Sequence, residues 1–200
     1  MKFYGTSKSR SARSLWALEE VGAKYEHIPT EVAKAKSPEI LALNPNGHIP
    51  VLEDNGTVLW ESMAINMYVA VKYGKAPFCP DTIEGRGEAL KWSFFGVTEI
   101  EPHLMTALMH RVFLPADQRD DKAAQKAADT LQGPLKIINN QLNGREYLLG
   151  KDFTIADLNV ASILSYAGLA KIDMSATPNT QAWLQKCLGR EANQRVRKLG

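Results

Sequence analysis

The chain has 200 residues, a formal net charge of +2, 44% hydrophobic and 23% charged residues. That is the balance of an ordinary soluble globular protein, long enough for one good core or two small ones. It carries no dense Lys/Arg run and no apolar run of about 18 residues, so neither nucleic acid nor a membrane is an expected partner.

Lys2–Tyr4 is a short β-like run, and the polar stretch Gly5–Ser11 follows it. The next segment is helical, with Leu15, Leu18, Val21 and Gly22 on one face and Arg13 and Glu20 on another. Gly22 ends it. Tyr25–Pro29 alternates and reads as a second strand. Ser37-Pro38-Glu39 opens a short helix, with Ser at the cap and Pro at the first helical position, and Asn44-Pro45-Asn46-Gly47 stops it. Val51–Glu53 and Thr57–Trp60 are strand-like runs around Asn55-Gly56, a strong hairpin signal. Ser62 then caps a mostly apolar helix through Tyr73, closed by Gly74. The order β-α-β-α-β-β-α predicts two parallel crossover units and a terminal hairpin in one small mixed sheet, the order of a thioredoxin-like fold.

Gly and Pro concentrate in GKAPFCPDTIEGRG, which reads as a linker. Beyond it Glu88–Met109, Asp121–Leu142, Thr154–Ala170 and Thr180–Leu188 read as helices, giving an all-helical half of about five helices. The predicted division is therefore 1–74 for the mixed domain, 75–87 for the linker and 88–200 for the helical domain. Thr154 and Asp157 form a variant capping box, with Phe153 and Leu158 as its hydrophobic staple. The helix they open is apolar nearly all round and is expected at the centre of the second domain. Asp157 is read as a structural cap rather than a catalytic acid.

The start MKFYGTSKSRS lacks the apolar middle of a signal peptide. Cys79 and Cys187 make no CxxC and no zinc spacing. A reduced cytoplasmic protein is the expected setting. Asn55-Gly56-Thr57 matches a glycosylation sequon, but in that setting it is a turn. His103 and His110 lie seven apart without a Cys or carboxylate to complete a metal set, so no metal is expected.

Three short segments could carry chemistry. In His48-Ile49-Pro50 a cis bond before Pro50 would turn the Ile49 N–H and C=O outward, to pair with an extended peptide as an added strand does. Glu61-Ser62 stands at a helix start, where backbone N–H groups and the dipole attract an anion. A carboxylate for an ammonium and a helix N-terminus for a carboxylate match the two charges of an amino-acid head group. His48 could reach a second carboxylate about one peptide length away. In Gly5–Ser11, Ser7, Ser9 and Ser11 with Lys8 and Arg10 form a donor cluster suited to a thiolate. A free thiol has a pKa near 8.5, and lowering it by about two units takes about 2.7 kcal/mol of preferential anion binding. A hydroxyl, a helix dipole and a nearby Arg are enough. The plainer reading of the same residues is capping plus a solvated loop.

The segments YGTSKSRSARSLWALEEVGAKYE, PEILALNPNGHIPVLEDNGTVLWESMAI and FTIADLNVAS resemble the cytosolic glutathione transferases across nearly the whole chain. The resemblance implies a thioredoxin-like N-terminal domain and an all-α C-terminal domain. It implies a homodimer with one active site per subunit, glutathione as co-substrate, and a small hydrophobic electrophile held against the second domain near Trp92–Met109 and the C-terminal segment. Carried over by motif, Pro50 resembles the family's cis-proline and Ile49 the backbone partner of the cysteinyl unit. Glu61 and Ser62 resemble the residues that hold the γ-glutamyl end, and His48 stands where Lys or Gln often meets the glycyl carboxylate. Family members use a Tyr, Ser or Cys near the end of the first strand. No Cys stands there in this chain, and Tyr4 lies inside the strand. Aligned from the N-terminus, Ser9 fills the serine position; aligned backwards from the LEE helix, the position falls on Lys8. Ser9 is the expected hydroxyl, with Arg10 as electrostatic help, and Ser7 and Ser11 stay open. The implied reactions are conjugation to the electrophile and glutathione-dependent peroxide reduction. The competing expectation is a non-catalytic relative that binds or regulates through protein contacts.

Overall fold

The computed structural model describes residues 1–199. The chain forms two compact units, residues 1–81 together with the segment from Gly189, and Thr82–Leu188.

The first unit contains β1 (Lys2–Gly5), α1 (Ser11–Glu20), β2 (Glu26–Pro29), α2 (Pro38–Leu43), β3 (Val51–Asp54), β4 (Thr57–Trp60) and α3 (Ser62–Tyr73). The sheet order is β2-β1-β3-β4. Only β1 and β2 are parallel; β3 runs antiparallel to both β1 and β4. The expectation of two parallel crossovers is corrected here. Helix α2 has six residues, about 9 Å of rise, and the chain that follows it enters the sheet antiparallel to β1. Phe3 and Leu52 pair across β1 and β3 and are buried with Leu15 and Leu18 of α1 and Ile65 and Val69 of α3. Each such side chain contributes about 1.5–3 kcal/mol of burial free energy. Ser37 caps α2, its hydroxyl accepting the Ile40 N–H at 3.5 Å, as its position before Pro38 suggested. Arg13, expected on the polar face of α1, is buried instead.

The second unit holds five α-helices among the described residues. Helix α4 (Ile83–Phe95) passes through a π-helical turn at Gly96–Ile100 into α5 (Glu101–Leu108), and a second π-helical turn covers Met109–Phe113. The single helix expected over Glu88–Met109 is thus longer and broken. Gly96 lets the π-turn approach α7; a Cβ there would lie 2.8 Å from Ile163 Cδ1. Helices α6 (Asp121–Gln141), α7 (Ile155–Leu164) and α8 (Pro178–Leu188) follow. Every residue of α7 is buried, which makes it the centre of this unit. It stops at Leu164, short of the expected Ala170, and turns occupy the interval. The Asp157 carboxylate accepts from Thr154 N and Thr154 Oγ1, both at 2.9 Å, which is the predicted cap. It also accepts from Leu148 N at 2.8 Å and Trp183 Nε1 at 2.9 Å. His110 Nδ1 accepts the Asp120 N–H at 3.1 Å and so holds a turn. No described helix is long and apolar enough to cross a membrane.

The chain then returns. Helix α9 (Glu191–Arg197) belongs to the first unit, whereas the sequence placed it in the helical domain. Arg190 Nε donates to Glu20 Oε1 at 3.0 Å, and Arg195 Nε donates to Glu19 Oε2 at 2.7 Å. Trp16 Nε1 donates to Glu20 at 3.2 Å and the Tyr25 hydroxyl to Glu19 at 2.9 Å. The acidic pair at the end of α1 thereby ties α9 and the approach to β2 to one helix. The cleft of about 310 Å³ beside these pairs is lined by Glu19, Glu20, Arg190 and Arg195, which pair with one another, and by Glu191 and Ala192.

Candidate active site

Strand register brings the three chemistry-bearing segments to one end of the sheet. Tyr4 pairs with Val51, and Val51 pairs with Trp60. The residues that adjoin this row are Gly5 with the serine loop beyond it, Pro50 with Ile49 before it, and Glu61 with Ser62 after it. A further tether runs from α1, where the Ser14 hydroxyl donates to the Ser62 carbonyl at 3.4 Å.

The Ile49–Pro50 bond is cis. Pro50 is buried and Ile49 half-buried, and β3 begins only at Val51, so the Ile49 backbone stands outside the strand register. The turn before it is built by Asn44, whose Nδ2 donates to the His48 carbonyl at 2.8 Å and whose Oδ1 accepts the Asn46 N–H at 3.0 Å. Gly47 has φ +63, and a Cβ there would lie 3.0 Å from Lys36 Cγ. The His48 side chain is exposed beside it. Lys36 therefore packs against the turn that carries His48 and brings a cationic side chain to that corner. Sequence reading missed it; the signal was Lys34 and Lys36 just ahead of the Ser37 cap.

Glu61 has φ 71 and ψ 114, outside the regions that suit a residue with a side chain. Such a conformation costs about 1–3 kcal/mol and persists only where its surroundings fix it. Glu61 occupies the cap position of α3 and Ser62 is the first helical residue, so the helix begins one place earlier than expected. The reason is local: the chain leaves β4 by turning at Glu61, so the helix starts at once. Ser62 is buried, and its hydroxyl has no hydrogen-bond partner among the described residues. The Glu61 carboxylate is exposed beside the free N–H groups of the helix start. The pair presents an anion and an anion-binding dipole side by side.

In the serine loop the three hydroxyls differ. Ser11 is fully buried, and Gly5 exists to admit it: a Cβ on Gly5 would lie 2.3 Å from Ser11 Oγ. Ser9 is half-buried; its Oγ accepts the Ser11 N–H at 3.1 Å and lies 3.0 Å from both the Thr6 carbonyl and Ser11 Oγ, either of which accepts its proton. This is a side-chain turn at the start of α1. Ser7 is half-buried, and its hydroxyl has no partner among the described residues. Arg10, at the cap position of α1, is exposed. Tyr4 is a poor donor to a thiol. Its hydroxyl donates to Glu53, and that bond, burial and the Glu53 charge push its pKa up to about 12.

Residues 1–71 match the model of the glutathione S-transferase N-terminal domain, and residues 100–191 that of the C-terminal domain. The chain is 31% identical over 210 residues to glutathione S-transferase 3 of Zea mays, covering 98% of this chain and 92% of that one. It is 28% identical over 198 residues to glutathione S-transferase GstB of Escherichia coli K12, covering 96% and 95%. Among solved structures, the theta class glutathione S-transferase of Xanthomonas axonopodis pv. citri, with glutathione bound, superposes with a TM-score of 0.88 at 29% identity, covering 98% and 95%. The chain belongs to the glutathione transferase family.

Proposed function

We propose that this glutathione transferase joins the glutathione thiolate to small hydrophobic electrophiles, with glutathione-dependent peroxide reduction as a second activity. The observation that carries the reading is Glu61: a non-glycine residue with φ 71 at the start of a twelve-residue helix, beside a buried serine whose hydroxyl is uncommitted. Glutathione lies along Ile49-Pro50 as an added strand, its γ-glutamyl ammonium on Glu61 and its γ-glutamyl carboxylate on Ser62 and the α3 N–H groups. His48 and Lys36 meet the glycyl carboxylate. A hydroxyl of the serine loop donates to the sulfur, Arg10 adds positive potential, and the enzyme contributes orientation and anion stabilisation. No metal takes part in this scheme.

Ser9 is the first choice for the hydroxyl, because it stands between β1 and α1 with its proton shared between two acceptors it can leave. Ser7 is the second, because its hydroxyl is uncommitted. The bound thiol is titrated by thiolate absorbance in Ser9→Ala and Ser7→Ala. The correct variant raises the thiol pKa by about one unit, the worth of one charge-assisted hydrogen bond, and lowers kcat toward a chlorinated nitrobenzene about tenfold. Retention on immobilised glutathione separates an enzyme from a non-catalytic relative: a protein that is neither retained nor active on any electrophile or peroxide would end this reading.

The same reading includes a homodimer in the cytoplasm. Ile83, Leu90 and Phe94 form an apolar row along α4, 85%, 40% and 63% exposed, the kind of surface a second copy covers. Sedimentation at the monomer mass would count against it. Both cysteines are buried and form no disulfide with each other, as suits a reducing compartment.

A further inference from the structure

Asp54 is the last residue of β3, and its carboxylate is 2% exposed. Three side chains from the far half of α3 converge on its Oδ2: Tyr73 Oη at 2.5 Å, Lys72 Nζ at 2.7 Å and Tyr68 Oη at 2.9 Å. Lys72 also donates to Tyr68 Oη at 2.7 Å and lies over the Tyr68 and Tyr73 rings, 5.1 and 5.4 Å from their centroids. The chain between these partners is a closed frame. From Asp54 it crosses the Asn55-Gly56 turn, runs through β4, bends at Glu61 and follows α3 back to Asp54. The bend at Glu61 is the frame's one strained corner outside the turn. A conformation of that kind holds only where the structure around it leaves no alternative.

We propose that Asp54 is a positioning residue for glutathione. By locking the far end of α3 to the turn end of the hairpin, its carboxylate fixes the angle at which Glu61 and Ser62 face the γ-glutamyl group. Because β3 starts at Val51, the same lock sets the height of Ile49-Pro50 relative to Glu61. This inference rests on the glutathione site proposed above and assigns it a support some way along the sheet. Asp54 touches no substrate, and its contribution passes through the frame.

The test uses the full-length protein, with steady-state kinetics on glutathione and a chlorinated nitrobenzene and with calorimetric titration of glutathione. Asp54→Asn keeps the shape and removes the charge that Lys72 requires; Lys72→Met removes the cation. Both are assayed well below their melting temperatures. Each is expected to raise KM and Kd for glutathione on the order of tenfold, the penalty for loosening an oriented group. At saturating glutathione, kcat and the KM for the electrophile stay within about twofold. Lys72→Arg, which can still donate to the carboxylate, restores the wild-type KM. Should Asp54→Asn fail to fold, Lys72→Met and Tyr73→Phe, which each delete one donor, carry the comparison. Unchanged glutathione Kd in folded variants with lowered melting temperatures would make Asp54 a stability element only and overturn the inference. A wild-type protein that does not bind glutathione would overturn the site itself, and the two failures are told apart by the wild-type titration.

Discussion

Each unit of the molecule buries an aspartate, and the two are solved differently. Asp54 in the first unit has a cation among its donors; Asp157 in the second has only neutral ones. Burial pushes the Asp54 carboxyl up, but hydrogen bonds from Lys72, Tyr73 and Tyr68 and the Lys72 charge outweigh it and hold the pKa at about 2. Burial also pushes Asp157 up, and there the bonds from Leu148, Thr154 and Trp183 do not cancel it, so its pKa stays above the ordinary carboxylate value. Hydrogen bonds oppose the desolvation of both carboxylates, and at Asp54 a cation is among the donors. The neutral solution serves a rigid helix cap at the centre of a core. The charged one serves a frame that ends at a binding site.

The largest effect should come from Asp157→Ala. It leaves Leu148 N, Thr154 N and Trp183 Nε1 buried without their acceptor, at a cost of about 3–5 kcal/mol measured by denaturant unfolding. A loss below about 1 kcal/mol would mean that the cap is not what organises α7. Next, Asp54→Asn should cost about 1–2 kcal/mol at neutral pH, the value of the depressed pKa after allowance for screening. The pH dependence separates the two sites by sign. Asp54 is more acidic folded than unfolded, so its stabilisation is present above about pH 4 and disappears as pH falls toward 2. Asp157 is less acidic folded than unfolded, so its contribution weakens as pH rises from about 4 through its folded pKa. The wild-type minus variant difference, followed from pH 2 to 7, should therefore grow with pH for Asp54→Asn and not for Asp157→Asn.

Lys72→Met sharpens the contrast further, because it leaves Asp54 with neutral donors alone. The Asp54 carboxyl should then titrate above its ordinary value, read by carboxyl NMR. If it stays low, tyrosines suffice and the distinction drawn here fails. The smallest effect is expected at the α9 latch. Arg195→Gln, at an exposed pair, should lower the unfolding midpoint slightly in low salt and not measurably in high salt.

The elements that were legible in the sequence carry local signals. Pro38 after Ser37, Asn-Gly between two β-runs and Thr-x-x-Asp before an apolar helix each act within about five residues. What escaped was set by partners far away in sequence. The direction of β3 is fixed only by its pairing with β1 and β4. The burial of Arg13 and the packing of Lys36 against Gly47 arise only after the chain has folded back. Helix α9 was assigned to the wrong unit because Arg190 and Arg195 look like ordinary surface charge until Glu20 and Glu19 are placed opposite, 170 and 176 residues earlier. Ser9 shows the limit within the site: composition marked a donor cluster, but which hydroxyl is spent on a turn and which is free is a matter of geometry.

The return of α9 to α1 also sets an order of events during synthesis. The first unit leaves the ribosome early, but the residues that neutralise Glu19 and Glu20 do not exist until all of Thr82–Leu188 has been made. At ordinary elongation rates that is a wait of roughly 5–20 s. Of the partners described for the acidic pair, Trp16 and Tyr25 precede that stretch and Arg190 and Arg195 follow it. The latch is the last joint of the unit that begins the chain.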